Sequence, residues 1–456
     1  MTTALTQSLY VVAAVLFIVG LKRMSHPRTA LQGNLLGVAG MTLAIVVALF
    51  QQDDYWSVAI GLLIGAIVGI GIATRVKLTD MPQMVALFNG FGGAASVLVA
   101  AAALLHGKAE TVDSRTAIGV AGIIGAITFW GSLVAFGKLQ ELELFKQPIE
   151  FPHKQLANVI TAVAMLVLAI LLAVLDPFWG WVFVPIVLLA SVIGVLIVNP
   201  IGEADMPVVI ALLNSYSGLA AAATGFVITN HVLVIGGSLV GAAGIILTRL
   251  MCKTMNRSLT NVLFGSMDGK EYSTEDGIYD NLQITTAENV ALMLEAAQRV
   301  VFVPGYGMAV AQAQHAARNL AKLLEAQQIT VEYAIHPVAG RMHGHMNVLL
   351  AEADVPYDQL IEMDRINPMM DNVDVAIVLG ANDVVNPVAR TDPHSPIGGM
   401  SIIDVDKARI VIVIKRSLSP GFANIPNPLF AEPNTWMLFG DAEQAVLDIT
   451  TAFSDA

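Results

Sequence analysis

The sequence has little charge and only one cysteine. Of its 456 residues, 13% are Asp, Glu, Lys or Arg and 55% are hydrophobic, whereas soluble proteins average about 25% charged residues. Because Cys252 is the only cysteine, the chain can form no internal disulfide and no metal site of the CxxC type. Cys252 is predicted to be a packed thiol near a helix end. The scarcity of charge excludes an ordinary soluble protein and indicates one that spans a membrane.

The few charges are distributed unevenly along the chain. Residues 1–260 contain 13 Lys/Arg and 11 Asp/Glu, whereas residues 261–456 contain 11 and 25, which together give the net charge of −12. The second part has the composition of an acidic soluble domain, which argues against a nucleic acid partner. Residues 1–8 lack Lys and Arg, so the first apolar segment is predicted to be a retained span rather than a signal peptide.

Long apolar segments predict a polytopic α-helical membrane domain over residues 1–260. A helix needs about 20 apolar residues to cross the hydrocarbon core. Nine segments qualify: 4–21, 32–50, 57–74, 82–104, 117–137, 156–175, 178–199, 207–228 and 232–251. The loops after the first, third and fifth segments, with the end of the ninth, carry eleven Lys/Arg, whereas the opposite loops carry only Lys108 and Arg115. This bias predicts the N-terminus outside and the region after residue 251 in the cytoplasm.

An Asp-Met-Pro triplet occurs twice, at residues 80–82 and 205–207. The matches continue at the same spacing with Asn89 and Asn214. Shared membrane composition would explain matching alanines and glycines but not this triplet and asparagine, so we predict a duplication that begins the fourth and eighth spans in the same direction. Proline suits the first turn of a helix, and the preceding Asp is predicted to cap that turn.

Asn89 and Asn214 lie inside predicted spans. A polar side chain there needs a hydrogen-bond partner or water, and it must face the interior of the bundle. Helix–helix hydrogen bonding and a place on a proton path both satisfy this requirement, and the sequence leaves both open.

From about residue 286 the sequence alternates between apolar strands and helices, which predicts a Rossmann-like, doubly wound α/β domain with a parallel sheet over residues 286–456. The predicted strands are 300–304, 330–335, 375–380, 402–405, 410–414 and 436–439, and the clearest helices are 308–326 and 441–453. Residues 261–285 are polar and rich in Gly, Asp and Ser, and are predicted to be a linker.

The segment Gly305-Tyr-Gly-Met-Ala-Val310 follows a predicted strand and precedes a helix, as a dinucleotide fold requires. The next strand ends in residues 335–341 without the acidic residue that usually binds the ribose of NAD. Residues 415–417, Lys-Arg-Ser, end a later strand and suit the 2′-phosphate of NADP, although a solvated strand end would give the same pattern. Residues 380–383 end another strand at the same edge of the sheet.

Eight stretches are specific enough to indicate a family: 204–209, 213–218, 251–258, 304–314, 335–341, 344–353, 380–383 and 415–417. Together they resemble the beta subunit of proton-translocating transhydrogenase over nearly the whole chain. The resemblance implies a subunit that binds NADP(H), in an orientation reversed from the usual Rossmann one, and that forms part of a proton path. It also implies the Si-type, B-specific class of the enzyme.

The resemblance implies site residues as well. Those implied to bind the cofactor are Gly305, Tyr306, Gly307, Met308, Ala309, Val310, Val338, Ala339, Gly340, Arg341, Met342, His343, Gly380, Ala381, Asn382, Asp383, Val384, Gly399, Met400, Lys415, Arg416, Ser417, Leu418, Ser419, Pro420, Gly421, Phe422, Asp441 and Ala442. Asp383 is also the predicted catalytic residue, as the group that senses proton state near the nicotinamide. The predicted proton-path and coupling residues are Asn89, Asp205, Asn214, Lys253 and Arg257.

Three positions depart from the family pattern. Asn89 occupies the place of a His that is the proposed proton carrier in some members, so the titrating group must be elsewhere, for example on a partner's helix. Phe422 replaces a Tyr and loses its hydroxyl. His343 replaces a Pro and could add a pH-sensitive contact.

Direct hydride transfer between two nicotinamides needs no metal or flavin, and the sequence has no motif for either. The chain has one dinucleotide fold, so the reaction requires a partner. The family implies alpha subunits that carry the NAD(H)-binding domain and additional membrane helices, a dimer of alpha-beta units, and the lipid bilayer of the bacterial inner membrane.

Two other functions fit the overall pattern less well. A channel or transporter with a regulatory nucleotide domain should have a selectivity filter or re-entrant loop, and the sequence shows none. A membrane-tethered oxidoreductase acting on a small substrate should have a substrate domain, for which the residues after 260 leave little room.

Overall fold

The computed structural model describes residues 3–24, 27–50, 55–107, 109–146, 149, 153–175, 180–202, 205–264 and 278–455. The predictions that concern Lys108 and residues 265–277 of the linker lie outside the described residues. Contacts divide the chain into two compact units. The N-terminal unit comprises Met1–Ile201 with Val209–Thr248, and the C-terminal unit comprises Gly202–Val208 with Arg249–Ala456.

The N-terminal part of the chain is helical, as the apolar segments predict. Its helices are α1 (Thr3–Met24), α2 (Pro27–Leu49), α3 (Tyr55–Ala73), α4 (Met81–Leu105), α5 (Val112–Leu139), α6 (Glu143–Lys146), α7 (Lys154–Val174), α8 (Phe183–Val198), α9 (Met206–Val227) and α10 (His231–Thr254). Within the described residues, nine helices are long and apolar enough to cross a membrane. Together with the sheet described below, this confirms the predicted fold class.

Helix α5 begins before its apolar segment because polar residues cap it. The apolar segment begins at residue 117, but Thr111 and Ser114 form a capping box in which Thr111 Oγ1 accepts a hydrogen bond from the Ser114 amide at 3.2 Å. The cap satisfies backbone donors at the helix start and adds a polar first turn that hydropathy alone misses.

Asp80 does not cap α4, and the prediction that it would is wrong. Asp80 occupies the N-cap position but makes no side-chain hydrogen bond to the helix, because its backbone (φ −93°, ψ 6°) continues a 3₁₀ turn rather than adopting the extended conformation of a capping residue. Pro82 lies in the first turn as expected. The second copy of the triplet likewise begins a helix at its methionine, Met206.

Glycines bring α4 and α5 into close backbone contact. A Cβ atom built on Gly93 would lie 2.5 Å from the carbonyl oxygen of Gly125, and one built on Gly125 would lie 2.7 Å from that of Gly93. Small residues allow such approaches between membrane helices. The spacing Gly61-x-x-x-Gly65 also predicts a contact, but nothing described lies within 4 Å of a Cβ atom on either residue. Gly93 and Gly125 therefore form a helix contact, whereas Gly61 and Gly65 form none with the described residues.

The environments of Gly93 and Gly61 predict opposite effects of a Gly→Ala substitution on stability. Gly93→Ala should destabilise the protein by about 1–3 kcal/mol, because the new methyl group meets backbone atoms that cannot move independently. Gly61→Ala is the matched control and should be neutral or slightly stabilising, since Ala favours helix more than Gly by about 1 kcal/mol. Thermal unfolding of the detergent-solubilised chain measures both, and equal shifts for the two variants would contradict the assigned contact.

The C-terminal unit contains a seven-stranded sheet. Its strands are β1 (Gln283–Ile284), β2 (Arg299–Pro304), β3 (Thr330–Ile335), β4 (Leu360–Glu362), β5 (Val375–Leu379), β6 (Ile410–Lys415) and β7 (Thr435–Phe439). The order is β1-β7-β6-β5-β2-β3-β4, and all described pairings are parallel. Apart from β1, this is the strand order of a Rossmann fold. The central strands are buried on both faces, which explains their continuous apolar sequences.

Helices accompany the sheet and complete the unit. They are α11 (Leu259–Phe264), α12 (Ala287–Glu295), α13 (Tyr306–Val310), α14 (Gln314–Ala326), α15 (His345–Glu352), α16 (Met363–Ile366), α17 (Val388–Thr391) and α18 (Ala442–Asp455). The predicted helix 308–326 is divided into α13 and α14, and Gln312 between them has a φ of 56°. Such a left-handed residue cannot continue a right-handed helix.

The predicted strand at residues 402–405 is wrong. Ile402 and Ile403 are buried and lie in a loop, where the Ile403 amide donates to the Val384 carbonyl oxygen at 2.9 Å. A short apolar run indicates that its residues are buried, but it does not by itself indicate that they pair with a neighbouring strand. The short strands β1 and β4 are absent from the predicted set, and β1 lies within the stretch predicted as linker.

Candidate nucleotide-binding site

The candidate site lies at the carboxyl edge of the sheet, where β2 and β5 are neighbours. The chain proceeds from β2 toward one edge of the sheet and from β5 toward the other, so this is the topological switch point at which open α/β sheets bind ligands. A cavity of about 460 Å³ opens there, lined by residues that follow β2, β3, β5, β6 and β7. Its volume is typical of sites for small molecules.

Three glycines bring the ends of β2 and β5 into backbone contact. The Gly305 amide donates to the Leu379 carbonyl oxygen and the Gly307 amide to that of Gly380, each at 2.9 Å. A Cβ atom on Gly307 would lie 2.7 Å from the Gly380 Cα, and one on Gly305 would clash with the backbone of Ala381. Gly380 also has a φ of 66°, which favours glycine. Side chains at these positions would occupy space that the turns need.

Lys415 and Arg416 place two positive charges on the cavity wall at the end of β6. Lys415 Nζ donates to the Ser419 carbonyl oxygen at 2.8 Å and lies 4.9 Å from the centroid of the Phe430 ring. Burial lowers the pKa of Lys415 to about 8, and the nearby Asp383 carboxylate partly offsets the effect. The ammonium group therefore remains mostly protonated at neutral pH. Ser417 and Ser419 add hydroxyl groups 2.8 Å apart on the same wall.

Asp383 is a buried carboxyl group in the cavity. It is only 2% exposed, its Oδ2 accepts from the Ala423 amide at 3.2 Å, and its Oδ1 has no hydrogen-bond partner among the described residues. Burial raises the pKa of Asp383 from 3.8 to about 6, although the Ala423 and Phe422 amides and the Lys415 ammonium oppose that rise. The carboxyl group therefore changes protonation state close to neutral pH.

This raised pKa predicts a pH-dependent stability difference. A carboxyl group whose pKa is higher in the folded than in the unfolded state costs the fold stability as the pH rises from about 4 through about 6. The change from 3.8 to about 6 corresponds to about 3 kcal/mol. Asp383→Asn cannot ionise, so it should be more stable relative to wild type at about pH 7.5 than at about pH 4.5. Thermal unfolding at both pH values measures this, and a pH-independent difference would contradict the assigned pKa.

Tyr306 and Arg341 also line the cavity. The Arg341 guanidinium lies 4.7 Å from the centroid of the Tyr306 ring, and the Arg341 amide donates to His345 Nδ1 at 3.1 Å. Gly340 has a φ of 99°, and a Cβ atom there would collide with His345. Burial lowers the pKa of His345 to about 4, so this ring is neutral and acts as an acceptor beneath the turn.

Most of the residues that the sequence assigns to the cofactor line this cavity. Those that line it are Gly305, Tyr306, Gly307, Val338, Ala339, Gly340, Arg341, Gly380, Ala381, Asn382, Asp383, Val384, Lys415, Arg416, Ser417, Ser419, Pro420, Gly421, Phe422 and Ala442. Those outside its lining are Met308, Ala309, Val310, Met342, His343, Gly399, Met400, Leu418 and Asp441.

Several of the residues outside the lining have other contacts. The Asn256 side chain donates to the Gly398 carbonyl oxygen at 2.9 Å and would meet any side chain at Gly399. Met400 is buried in a separate apolar cluster. Burial lowers the pKa of His343, so its ring is neutral at neutral pH.

The cavity also contains residues that the sequence does not single out, namely Pro207, Met255, Ala311, Ile414 and Gly440. Gly440 follows β7 directly, so the strand-end rule that identifies Gly380 could have found it. Pro207 and Met255 are distant in sequence from the strands and carry no such signal.

Asp205 and Arg257 form an ion pair within the C-terminal unit. Arg257 Nη1 lies 2.5 Å from Asp205 Oδ2, and the Asp205 side chain is almost fully buried. The second carboxylate oxygen, Oδ1, has no hydrogen-bond partner among the described residues. Lys253 is exposed and lies outside this pair. The structure therefore joins two of the three charged residues expected to act in coupling.

In the N-terminal unit, Asn89 is buried and its Nδ2 has no hydrogen-bond partner in the described part of the chain. Asn214 is half-buried. The helices that carry them approach closely, since a Cβ atom on Gly92 would lie 2.6 Å from Ser217 Oγ. Gly92 and Ser217 each lie three residues beyond the corresponding asparagine, so the contact joins equivalent positions of the two copies of the repeat.

Comparison with known proteins agrees with this arrangement of membrane helices and parallel sheet. A family model described as NAD(P) transhydrogenase beta subunit matches residues 6–452. The NAD(P) transhydrogenase subunit beta of Rhodospirillum rubrum is 46% identical over 467 aligned positions that cover 100% of both chains. A second protein of the same name, from a particular strain of that species, shows the same identity and coverage. The chain therefore belongs to the NAD(P) transhydrogenase beta subunit family.

Proposed function

We propose that this chain binds NADP(H) and forms part of the proton path of a transhydrogenase that couples hydride transfer between NAD(H) and NADP(H) to proton translocation. The observation that carries the proposal is the position of Lys415 and Arg416 on the wall of a glycine-lined cavity at the switch point of the sheet. Two cations suit the 2′-phosphate, and backbone without side chains suits a close approach by the dinucleotide.

The described residues fit NADP(H) in three respects. Gly305, Gly307 and Gly380 let the turns after β2 and β5 pack together at the cavity, where a Cβ atom would clash with the facing backbone. The end of β3 carries no acidic residue to bind a ribose diol. Lys415 and Arg416 provide the positive charge that a 2′-phosphate requires.

Each side chain has a distinct task in this proposal. When bound, NADP(H) supplies a nicotinamide that donates or accepts a hydride. Lys415, Arg416 and Ser417 hold the 2′-phosphate, Tyr306 and Arg341 line the site beside the glycine turns, and residues 417–422 cover the site and exclude water. No side chain of this chain is required to donate a proton to the reacting carbon.

Asp383 supports the coupling of this site to proton transfer. Burial raises its pKa to about 6, so its charge near the nicotinamide would change within the physiological range. A carboxylate stabilises the cationic ring of NADP⁺ more than the neutral ring of NADPH. The protonation state of Asp383 would therefore shift the relative affinity for the two forms, and the shift is reciprocal.

We place Asn89, Asn214, Asp205, Lys253 and Arg257 on the route that carries the proton or its effect. Asn89 cannot itself bind and release a proton near neutral pH, so it would hold water in line. The unpartnered Nδ2 of Asn89 and the close approach of the two asparagine-bearing helices support this role. The titrating group would be supplied elsewhere, for example by a partner's helix.

The partner is proposed to be an alpha subunit, or subunits, that carries the NAD(H)-binding domain and additional membrane helices, in a dimer of alpha-beta units. The described residues contain one Rossmann-like sheet, which would hold one of the two nucleotides, so the other requires a partner. The location would be the bacterial inner membrane, with the N-terminus outside and the nucleotide domain in the cytoplasm. The Si-type, B-specific class would apply to the NADP(H) that this chain binds.

Nucleotide titration of the full chain in detergent tests the proposal. NADPH should bind at micromolar or lower concentration and NADH at least about a hundredfold more weakly, because the 2′-phosphate contacts are charge-assisted. The chain alone should not transfer hydride to an NAD analogue, and addition of the alpha subunits should start the transfer. Equal affinity for both nucleotides, or transfer by the chain alone, would contradict the proposal.

A further inference from the structure

Tyr279, which precedes β1, packs into the C-terminal unit beside the candidate site. Its hydroxyl accepts a hydrogen bond from the Asn427 amide at 3.0 Å. Its ring stacks on that of Phe430, with centroids 6.5 Å apart and planes inclined by 21°. Phe430 is fully buried. Neither Tyr279 nor Phe430 lines the cavity.

Asn427 connects this tyrosine to the end of β5. It is 1% exposed, and its Nδ2 donates to the backbone oxygen of Asn382 at 3.1 Å and to Asn382 Oδ1 at 3.0 Å. Its Oδ1 accepts from the Leu429 amide at 3.1 Å. Because both ends of the carboxamide are bonded and buried, the side chain is fixed in one orientation.

Asn382 links Asn427 to the residues that would hold the phosphate. Its carboxamide lies between Asn427 Nδ2 on one side and two donors on the other. With its oxygen toward Asn427, Oδ1 accepts from Asn427 Nδ2 and Nδ2 donates to the Ser419 carbonyl oxygen at 3.3 Å. With its oxygen on the second side, it instead accepts from the Gly421 amide at 2.8 Å and from Lys415 Nζ at 3.0 Å, and the side-chain bond to Asn427 is lost. In either orientation, Asn427 keeps its bond to the Asn382 backbone oxygen. In both orientations Asn382 bonds to the covering loop, at Ser419 in the first and at Gly421 in the second. Lys415 also donates to the Ser419 carbonyl oxygen of this loop, so Asn382 and the loop together position the lysine.

Phe430 gives a second connection to the same lysine. Lys415 Nζ lies 4.9 Å from the Phe430 centroid, within the range of a cation–π contact. Tyr279 thus reaches Lys415 by two routes, through Asn427 and Asn382 and through Phe430.

We propose that Tyr279 and Asn427 are positioning residues for the NADP(H) site, which fix Lys415 and residues 419–421 where the 2′-phosphate binds. The proposal rests on the proposed function and adds two residues that do not line the cavity. It also means that the segment entering the sheet at β1 helps to determine affinity for NADP(H). Displacing Tyr279 from Asn427 would weaken binding of the 2′-phosphate without changing any residue that lines the cavity.

A double-mutant cycle in the full chain tests this proposal by NADPH titration. Tyr279→Phe removes only the hydroxyl and keeps the stacked ring, so it should weaken NADPH binding by about fivefold. In a Lys415→Ala background, the same change should weaken binding by less than about twofold, because the lysine that it positions is gone. The same fivefold loss in both backgrounds, or no loss in either, would overturn the proposal.

Asn427→Asp extends the test with a matched control. The substitution preserves the acceptor for Leu429 but removes the donor to Asn382, and it should weaken NADPH binding by about tenfold or more. Asn434→Asp is the control, because Asn434 Nδ2 likewise donates two hydrogen bonds, to the backbone oxygens of Asp406 and Ala408, and Asn434 does not line the cavity. If NADPH affinity merely follows the melting temperature in both variants, Asn427 has a structural role only and the proposal fails.

The outcomes separate this proposal from the proposed function. If Lys415→Ala leaves NADPH binding unchanged, the phosphate site itself is misassigned. If Lys415→Ala weakens NADPH binding and Tyr279→Phe causes the same further loss in its presence as in its absence, the phosphate site is correctly assigned. The positioning role of Tyr279 is then wrong. Should Asn427→Asp fail to fold, the cycle with the milder Tyr279→Phe decides the question.

Discussion

Replacing Lys415 and Arg416 together with alanine should weaken NADPH binding by about a hundredfold to a thousandfold. A hydrogen bond to a charged group contributes about 1.5–3 kcal/mol, and two such contacts would be lost at once. NADH lacks the 2′-phosphate, so its weak binding should change by less than about threefold. The selectivity between the two nucleotides should therefore nearly disappear, while the sheet and its glycine turns remain intact.

Lys407 and Arg409 provide the matched control, because they lie before β6 whereas Lys415 and Arg416 lie at its end. Both control side chains form exposed ion pairs, with Asp404 and Asp374 respectively. Such surface pairs contribute about 0–1 kcal/mol, so their replacement by alanine should leave both nucleotides unaffected. Titration of each double variant with NADPH and NADH measures the effect. An equal loss of both nucleotides in Lys415→Ala, Arg416→Ala would show that these cations do not bind the 2′-phosphate.

Gly380→Ala should abolish NADPH binding over the concentrations at which wild type saturates, a loss of about a hundredfold or more. Alanine at a φ of 66° costs about 1–2 kcal/mol. Its methyl group would also lie 2.5 Å from the Met308 amide nitrogen. Relief of that clash must separate the turns after β2 and β5, and both turns line the cavity. We expect a further cost of about 1–3 kcal/mol from this overpacking.

Gly440→Ala is the control for Gly380→Ala. Gly440 lines the same cavity at the end of β7, but a Cβ atom there would lie 3.8 Å from its nearest neighbour, Ala445, at ordinary contact distance. It should therefore bind NADPH within about threefold of wild type. NADPH titration with circular dichroism of each variant measures binding and folding together. Wild-type affinity in Gly380→Ala would contradict the assigned contact between the two turns.

The arrangement of the C-terminal unit could be predicted from the sequence because its signals are local. Parallel strands buried on both faces give continuous apolar runs, such as that of β5, and their carboxyl ends must meet at one edge. Once Gly305, Gly380 and Lys415 are each assigned to a strand end, their convergence on one cavity follows from topology alone. The membrane helices could be predicted equally well, because a segment that crosses the hydrocarbon core must be long and apolar.

Other features were not predictable because no local pattern encodes them. Ile402 and Ile403 have the composition of a strand, but the strand order leaves no place for them between β5 and β6, whose residues pair directly. Asp80 has the residue type of a helix cap but not the backbone conformation. Tyr279 and Asn427 are 148 residues apart, and neither residue type nor spacing indicates their contact.

Asn89 is a position at which the role of the corresponding residue in relatives cannot be transferred to this chain. The resemblance implies a proton path at this position, but an amide cannot carry the proton. Among the described residues, Nδ2 of Asn89 has no hydrogen-bond partner, and the helix that carries Asn89 approaches the one that carries Asn214. Under the proposed function Asn89 would hold water, and the titrating group would be sought on the partner's helices.

Sealed vesicles that contain this chain with its alpha subunits provide the most direct test of coupled hydride and proton transfer. Reduction of an NAD analogue by NADPH should be accompanied by proton movement across the membrane, and the sign of that movement should reverse when the hydride passes from NADH to NADP⁺. An imposed proton gradient should change the rates in the two directions oppositely, as reciprocity requires. Hydride transfer without proton movement, and unaffected by the gradient, would contradict the proposed coupling.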